Sequence, residues 1–173
     1  MEIWDLYDEN RIATGETIER SQPIPEGRYN LMVYGCIFNS EGKMLIQQRQ
    51  HDKKAMPDKW DLTVGGHTLA GENTRETMHR ELLEELGIDI DFTIIRPHLT
   101  EMHPRHIFDY FLIVRDLDIN SLTIQTEEVQ AVRWADKNEV LAMIDSGEFI
   151  PYFKGLLDYF FEGHKQYGFQ RIN

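Results

Sequence analysis

Glu81, Glu84 and Glu85 fall at positions i, i+3 and i+4 of a segment with helical patterning. A step of about 100° per residue puts the three carboxylates within an arc of about 100°. Like charges this close repel, and a surface helix ordinarily relieves the crowding with Lys or Arg one turn away. Lys is absent from the segment, and Arg80 is the one base beside the cluster. A hard divalent cation is the other remedy. Oxygen ligands with no accompanying Cys favour Mg²⁺ or Mn²⁺ over zinc, and Mg²⁺ takes one or two carboxylates together with water and substrate phosphates. A solvated acidic face is the alternative reading of a Glu-rich helix.

The elements that must position these acids can be read from patterning. Asn73 can cap the helix, with Glu76 three residues on as in a capping box, and Gly87 ends it after thirteen residues. Met78, Leu82, Leu83 and Leu86 form a separate apolar arc, so the helix is expected to bury one side and present acid on the other. Trp60 to Val64 reads as a short strand entering Gly65-Gly66. Leu31 to Phe38 is a strand, Asn39 to Gly42 a turn, and Lys43 to Arg49 its hairpin partner. The opening Glu2 to Thr17 reads as two short strands around Asp8-Glu9-Asn10. Further strand-like runs lie at Phe92 to Ile95, Ile107 to Val114 and Val129 to Trp134. Asp136 starts a helix with Val140, Leu141 and Ile144 on one side, and Pro151 suits the first turn of a last helix reaching about Gly163. Strands alternating with helices give an α/β (α+β) class, with a mixed β-sheet covered by helices.

The 173 residues fit one domain throughout, 1–173, with an N-terminal β-hairpin extension and a C-terminal helix; no repeat or linker divides them. A net charge of −12 opposes nucleic-acid polymers and anionic membranes, and no apolar run approaches the roughly 20 residues of a membrane span. The acidic opening Met1 to Asp5 lacks the basic start of an export signal. The single Cys36 excludes an internal disulfide and a Cys-rich zinc site, which leaves the cytoplasm as the expected location. Residues 72–91 carry seven acids and two Arg, so much of the charge sits on or beside one helix. A small phosphorylated partner is allowed where cations bridge the repulsion.

From Gly66 the chain reads five residues, Glu72, seven residues, then Arg80-Glu81-Leu82-Leu83-Glu84-Glu85-Leu86-Gly87-Ile88. This resembles the Nudix box with every defining position filled. Trp60 to His67, and Thr126-Glu127-Glu128-Val129 with Trp134, are also similar to Nudix sequences, so the resemblance covers most of the chain. It implies a Nudix-type α/β/α sandwich that binds Mg²⁺, with Mn²⁺ as a substitute, while water attacks a phosphorus of a diphosphate. It further implies that Glu81, Glu84 and Glu85 hold the metal with the Gly65 carbonyl as an extra ligand. Arg80 would orient Glu81 or its neighbours, and Gly66, Glu72 and Gly87 would support the box. The general base would be Glu81, Glu127 or Glu128.

Glu2 to Glu9, Phe38-Asn39, Lys43 to Arg49 and Gly66-His67 are similar to the isopentenyl-diphosphate isomerase branch of the superfamily. That branch implies a Cys before the Gly-His pair, a His on the Leu31 to Phe38 strand and a late Glu. Here those places hold Gly65, Asn30 and the carboxylate-free stretch 105–107, and Cys36 reads as a small buried hydrophobe. An isomerase-like scaffold performing phosphoanhydride hydrolysis is therefore expected, with isomerase activity and a non-catalytic sensor as alternatives. His67 could touch metal or phosphate, or fix a loop. Arg49, His103, Arg105 and His106 are candidates for phosphate or base contacts, against a solvated hairpin tip for the last three. Trp60 reads as packing. Tyr152, Phe153, Tyr159, Phe160, Phe161, Tyr167 and Phe169 crowd the C-terminal region, and either dock it on the sheet or form a homodimer contact.

Overall fold

A computed structural model describes residues 2–165. Strands β1 (Ile3–Tyr7) and β2 (Ala13–Glu19) form an antiparallel hairpin, followed by β3 (Asn30–Phe38), β4 (Met44–Arg49), β5 (Trp60–Asp61) and β6 (Val64–His67). Helix α1 (Thr74–Leu86) leads to β7 (Leu99–Met102), β8 (His106–Val114) and β9 (Val129–Ala135), and helices α2 (Lys137–Ser146) and α3 (Lys154–Gly163) complete the order. The larger sheet runs β5-β4-β3-β8-β7, with β6 on β3 and β9 on β4. Its mixed character comes from β3, parallel to β8 from Asn30↔His106 to Phe38↔Val114 and antiparallel to β6 from Met32↔His67 to Gly35↔Val64.

Alternation along β3 separates two cores. Val33 and Ile37 face α1 through Met78, Leu82 and Leu86, while Cys36 and Phe38 face α2 and α3 through Val140, Met143, Leu157 and Phe160. The result is a three-layer α/β/α sandwich. Cys36 is fully buried in the second core, where burial pushes its thiol well above the usual range. Trp60 packs against the same core with the Arg133 guanidinium 5.1 Å above its ring.

Three expectations are corrected. Phe92 to Ile95 is not a strand: Phe92 plugs the first core edge-on to Phe111, while Ile94 is exposed. The final helix begins at Lys154 rather than Pro151, because Ile150 N donates to Trp60 O at 2.9 Å and holds the preceding segment extended. Trp60 to Val64 splits into β5 and β6, with Thr63 between them, fully buried and donating to the Leu45 carbonyl. Among the C-terminal aromatics, Phe160 and Phe161 are buried and Phe153 is exposed; Tyr167 and Phe169 lie outside the described residues. No helix among the described residues is long and apolar enough to cross a membrane.

Candidate active site

Helix α1 starts and stops where its sequence dictates. The Asn73 side chain accepts from Arg75 N and Glu76 N, Glu76 returns a bond to the Asn73 backbone, and Gly87 closes the helix at φ 66°. The α1 arcs are less cleanly divided than the sequence pattern suggests. Leu83, assigned to the apolar arc, is about half exposed, whereas Glu85, assigned to the acidic face, is buried. The cause is tertiary: Gln47 of β4 donates to Glu85 Oε2 at 3.1 Å, and Gln125 N caps the Glu85 carbonyl at 2.9 Å.

The carboxylates open onto a cavity of about 1050 Å³, walled by Glu81, Glu84, Glu85, Gly65, Gly66 and His67 on one side and by Arg49, Lys53, Glu127 and Glu128 on another. Burial raises Glu85 to about 8, with Glu81 adding repulsion and the Gln47 bond opposing it. Burial likewise lifts Glu81 to about 7, against the pull of Arg80. Arg80 knits the cluster. Its Nε donates to Glu72 Oε1 at 2.8 Å, Nη1 to Glu81 Oε1 at 2.9 Å and to Glu84 Oε2 at 3.2 Å, and Nη2 to the His67 carbonyl at 3.1 Å. Burial alone would raise Glu72, but bonds from Arg80, Leu69 N and Thr77 outweigh it and hold Glu72 low. Gly66 is required by close approach: a Cβ there would lie 2.0 Å from Glu81 Oε1.

Among the described residues no three His, Cys, Asp or Glu side chains converge into a ready-made metal shell. The donor set is nonetheless oxygen-only, Glu85 is buried beside the half-buried Glu81, and Gln47 Oε1, in the same core as Glu85, is buried without a hydrogen bond. An oxygen donor set of this kind suits a hard cation better than a soft one.

A NUDIX domain family profile matches residues 28–153. The chain belongs to the Nudix family. The uncharacterized Nudix hydrolase lin0387 of Listeria innocua is 44% identical over 153 residues, covering 88% of this chain and 90% of that protein. An isopentenyl-diphosphate Delta-isomerase of Salmonella heidelberg is 30% identical over 115 residues, or 63% of this chain and 64% of the isomerase. The crystal structure of DR0079 from Deinococcus radiodurans superposes with a TM-score of 0.76 at 24% identity, covering 91% and 98% of the two chains, which shows a shared fold. The chain is thus a Nudix-type hydrolase by family.

On this Nudix scaffold the residues of the box come together as one unit, whereas the substrate-contact candidates divide. Arg49 and His67 line the cavity. Arg49 donates to the Ala55 carbonyl at 3.1 Å and stands 3.5 Å from Asp61, so it also holds the 50–59 loop in place. Arg105 and His103 do not line the cavity: they sit in the turn between β7 and β8, where Arg105 reaches the Pro25 carbonyl. His106 is one step removed, bonded to Asn30, which in turn contacts His67. Glu127 and Glu128 reach the cavity rim, and Lys53 pairs with Glu128.

The isomerase-type thiol position, Gly65, is closed to a side chain by packing. A Cβ there would lie 2.7 Å from the Tyr34 ring, which stacks on Tyr110 and meets Tyr152 edge-on.

Several wall residues escaped sequence reasoning. Glu2 and Arg20 arrive from the N-terminal hairpin, and Trp4 of that hairpin stacks on His67 with centroids 4.0 Å apart. Asp61, Tyr34 and Tyr152 line the far end, where the Tyr152 hydroxyl donates to Asp61 Oδ1 at 2.7 Å. An isolated Asp between Trp60 and Leu62 was the one local signal available for them.

Proposed function

We propose that the chain is a Mg²⁺-dependent hydrolase, with Mn²⁺ as a substitute, that cleaves the phosphoanhydride linkage of a small diphosphate compound. The observation that carries this reading is the carboxylate pair of half-buried Glu81 and buried Glu85, facing a cavity that also holds Arg20, Arg49, Lys53 and Lys54. Acid for a cation and base for phosphate share one small-molecule-sized space, which suits neither a nucleic-acid polymer nor a membrane. A cation held by Glu81, Glu84, Glu85 and the Gly65 carbonyl supplies charge neutralisation, P–O polarisation and a more acidic water.

The chain's own residues do the rest. Gln47 fixes Glu85, and the Arg80 fork ties Glu81 to Glu72 and to the strand carrying His67. Arg49 and Lys53 meet phosphate oxygens at the rim. One carboxylate of Glu81, Glu127 and Glu128 takes the proton of the attacking water, whose oxygen joins phosphorus as the bridging P–O bond breaks. Isomerase chemistry is not favoured, since Gly65 offers no thiol and Tyr34 occupies the space one would need. A cytoplasmic setting suits the lone, buried thiol.

The test is release of phosphate or pyrophosphate from a panel of nucleoside diphosphates and triphosphates, dinucleoside polyphosphates, sugar diphosphates, coenzyme A and isopentenyl diphosphate, with Mg²⁺, Mn²⁺ or EDTA. Cation-dependent cleavage of at least one member is expected. Isomerisation of isopentenyl diphosphate, or cleavage unaffected by EDTA, contradicts the proposal. On the preferred substrate, Gly66→Ala is expected to lower kcat/KM by about 100-fold, because its Cβ must displace Glu81 and small misplacements of reacting groups carry costs of that order. Steady-state kinetics beside a circular dichroism control for folding checks it.

A further inference from the structure

Asn30 begins β3, is fully buried, and lies between two histidines from neighbouring strands. Its Nδ2 contacts His67 Nδ1 at 2.8 Å, and its Oδ1 contacts His106 Nδ1 at 2.5 Å. An amide nitrogen can only donate and an amide oxygen can only accept. His67 Nδ1 must therefore offer its lone pair, which places the ring's single proton on Nε2, while His106 carries its proton on Nδ1. One buried amide sets two histidines in opposite tautomers.

We propose that Asn30 is a positioning residue that fixes His67 with Nε2–H toward the cleft, as a hydrogen-bond donor to substrate phosphate oxygens rather than a cation ligand. Two further observations support it. The Trp4 ring stacks on the imidazole at 14° and holds its plane. His67 lines the cavity, and its carbonyl accepts from the same Arg80 that grips Glu72 and Glu81, so the donor is tied to the acid cluster. An N–H edge cannot ligate a metal, but it complements the oxygens of an anion. The cation is thereby left to the carboxylates.

This inference rests on the proposed diphosphate hydrolysis for its functional half, while its structural half can be measured without substrate. Long-range ¹H–¹⁵N correlation spectra of the uniformly labelled full chain at pH 7.5, with His67 assigned through His67→Gln, report which nitrogen bears the proton. The Nε2–H form is expected for His67 and the Nδ1–H form for His106. Asn30→Asp has no amide donor, so its His67 proton is expected to move to Nδ1. The variant's KM for the best diphosphate should rise about tenfold with kcat within about threefold, the scale of one hydrogen bond to a charged group. His67→Gln, which retains an N–H donor, should keep KM within about threefold where His67→Ala raises it about tenfold.

A wild-type His67 protonated on Nδ1 or on both nitrogens overturns the inference, as does a tautomer unchanged in Asn30→Asp. The wild-type spectrum decides the matter even if Asn30→Asp does not fold. Absence of any diphosphate cleavage alongside an Nε2–H tautomer refutes the functional reading, and with it His67 as a phosphate donor, while leaving Asn30's control of the tautomer standing. Cleavage alongside an Nδ1–H tautomer refutes the inference and leaves the functional reading intact.

Discussion

Glu85→Gln is expected to lower turnover by at least about 100-fold while leaving the fold intact, the loss typical of disrupting a metal site. Gln preserves the shape and the partnership with Gln47 but removes the charge a cation needs. The same substitution should change the pH dependence of stability. In the cation-free protein Glu81 and Glu85 bind protons more tightly than their ordinary value of 4.5, reaching about 7 and about 8. A carboxyl raised by folding contributes stability that is fully present below about pH 4.5 and is lost as pH rises through the folded value. Thermal melts in EDTA should therefore show a falling Tm from about pH 4.5 to about pH 8 in the wild type. Glu85→Gln should flatten the upper part of that fall and melt roughly 3–6 °C higher than wild type at pH 8, as relief of about 1–2 kcal/mol would give in a chain of this size. Activity that survives within a few-fold, or an identical pH profile of Tm, would remove Glu85 from the account.

Asp109→Ala should produce the largest loss of stability, roughly 2–4 kcal/mol by denaturant titration. Asp109 is fully buried on β8 and accepts Thr74 Oγ1 at 2.7 Å, Thr100 Oγ1 at 2.6 Å and Arg11 Nη1 at 2.9 Å, with a second contact to Arg11 Nη2. Those partners belong to α1, β7 and the turn of the N-terminal hairpin. Arg11 holds a left-handed φ of 61°, unusual for a residue with a side chain, in a turn closed by Arg11 N donating to Asp8 O at 3.0 Å and Ile12 N donating to Asp8 Oδ1 at 2.8 Å. Removal leaves the buried Thr74 hydroxyl without its acceptor and releases the partly exposed Arg11 and the exposed Thr100. The hairpin carries Glu2 and Arg20 to the cavity and buries Trp4 against His67, so partial unfolding should begin there and show as early loss of Trp4 fluorescence character. A loss below about 1 kcal/mol would mean that the hairpin is held by its apolar contacts alone.

The pattern of what could be read in advance follows from where the information lies. Helix α1, its caps and its acid cluster are local: Asn73, Glu76 and Gly87 act within a few residues, and the box spacing survives folding intact. Strands β3 and β8 were legible as strands because both are largely apolar runs, the mark of strands buried on two faces, whereas their parallel pairing is set by topology. Strand β7 was not, since Leu99 to Met102 is largely exposed with no alternation and is a strand only because β8 pairs with it. Glu85 was assigned to solvent because helical periodicity cannot know that Gln47 and Gln125, each about 40 residues away, will cover it. The contributions of Glu2, Arg20 and Tyr152 to the cavity depend on chain ends folding back, for which no spacing rule exists. Arg105 failed as a cleft residue for the converse reason: a basic turn looks like a phosphate contact until topology places it beside Pro25.

The central claim is that the α1 carboxylates bind a divalent cation, and the most direct measurement is electron paramagnetic resonance of Mn²⁺ titrated into the protein without substrate. Wild type is expected to bind Mn²⁺ stoichiometrically, with Mg²⁺ competing, and Glu81→Gln and Glu85→Gln each to lose that signal. Binding of equal strength in wild type and in both variants would contradict the account.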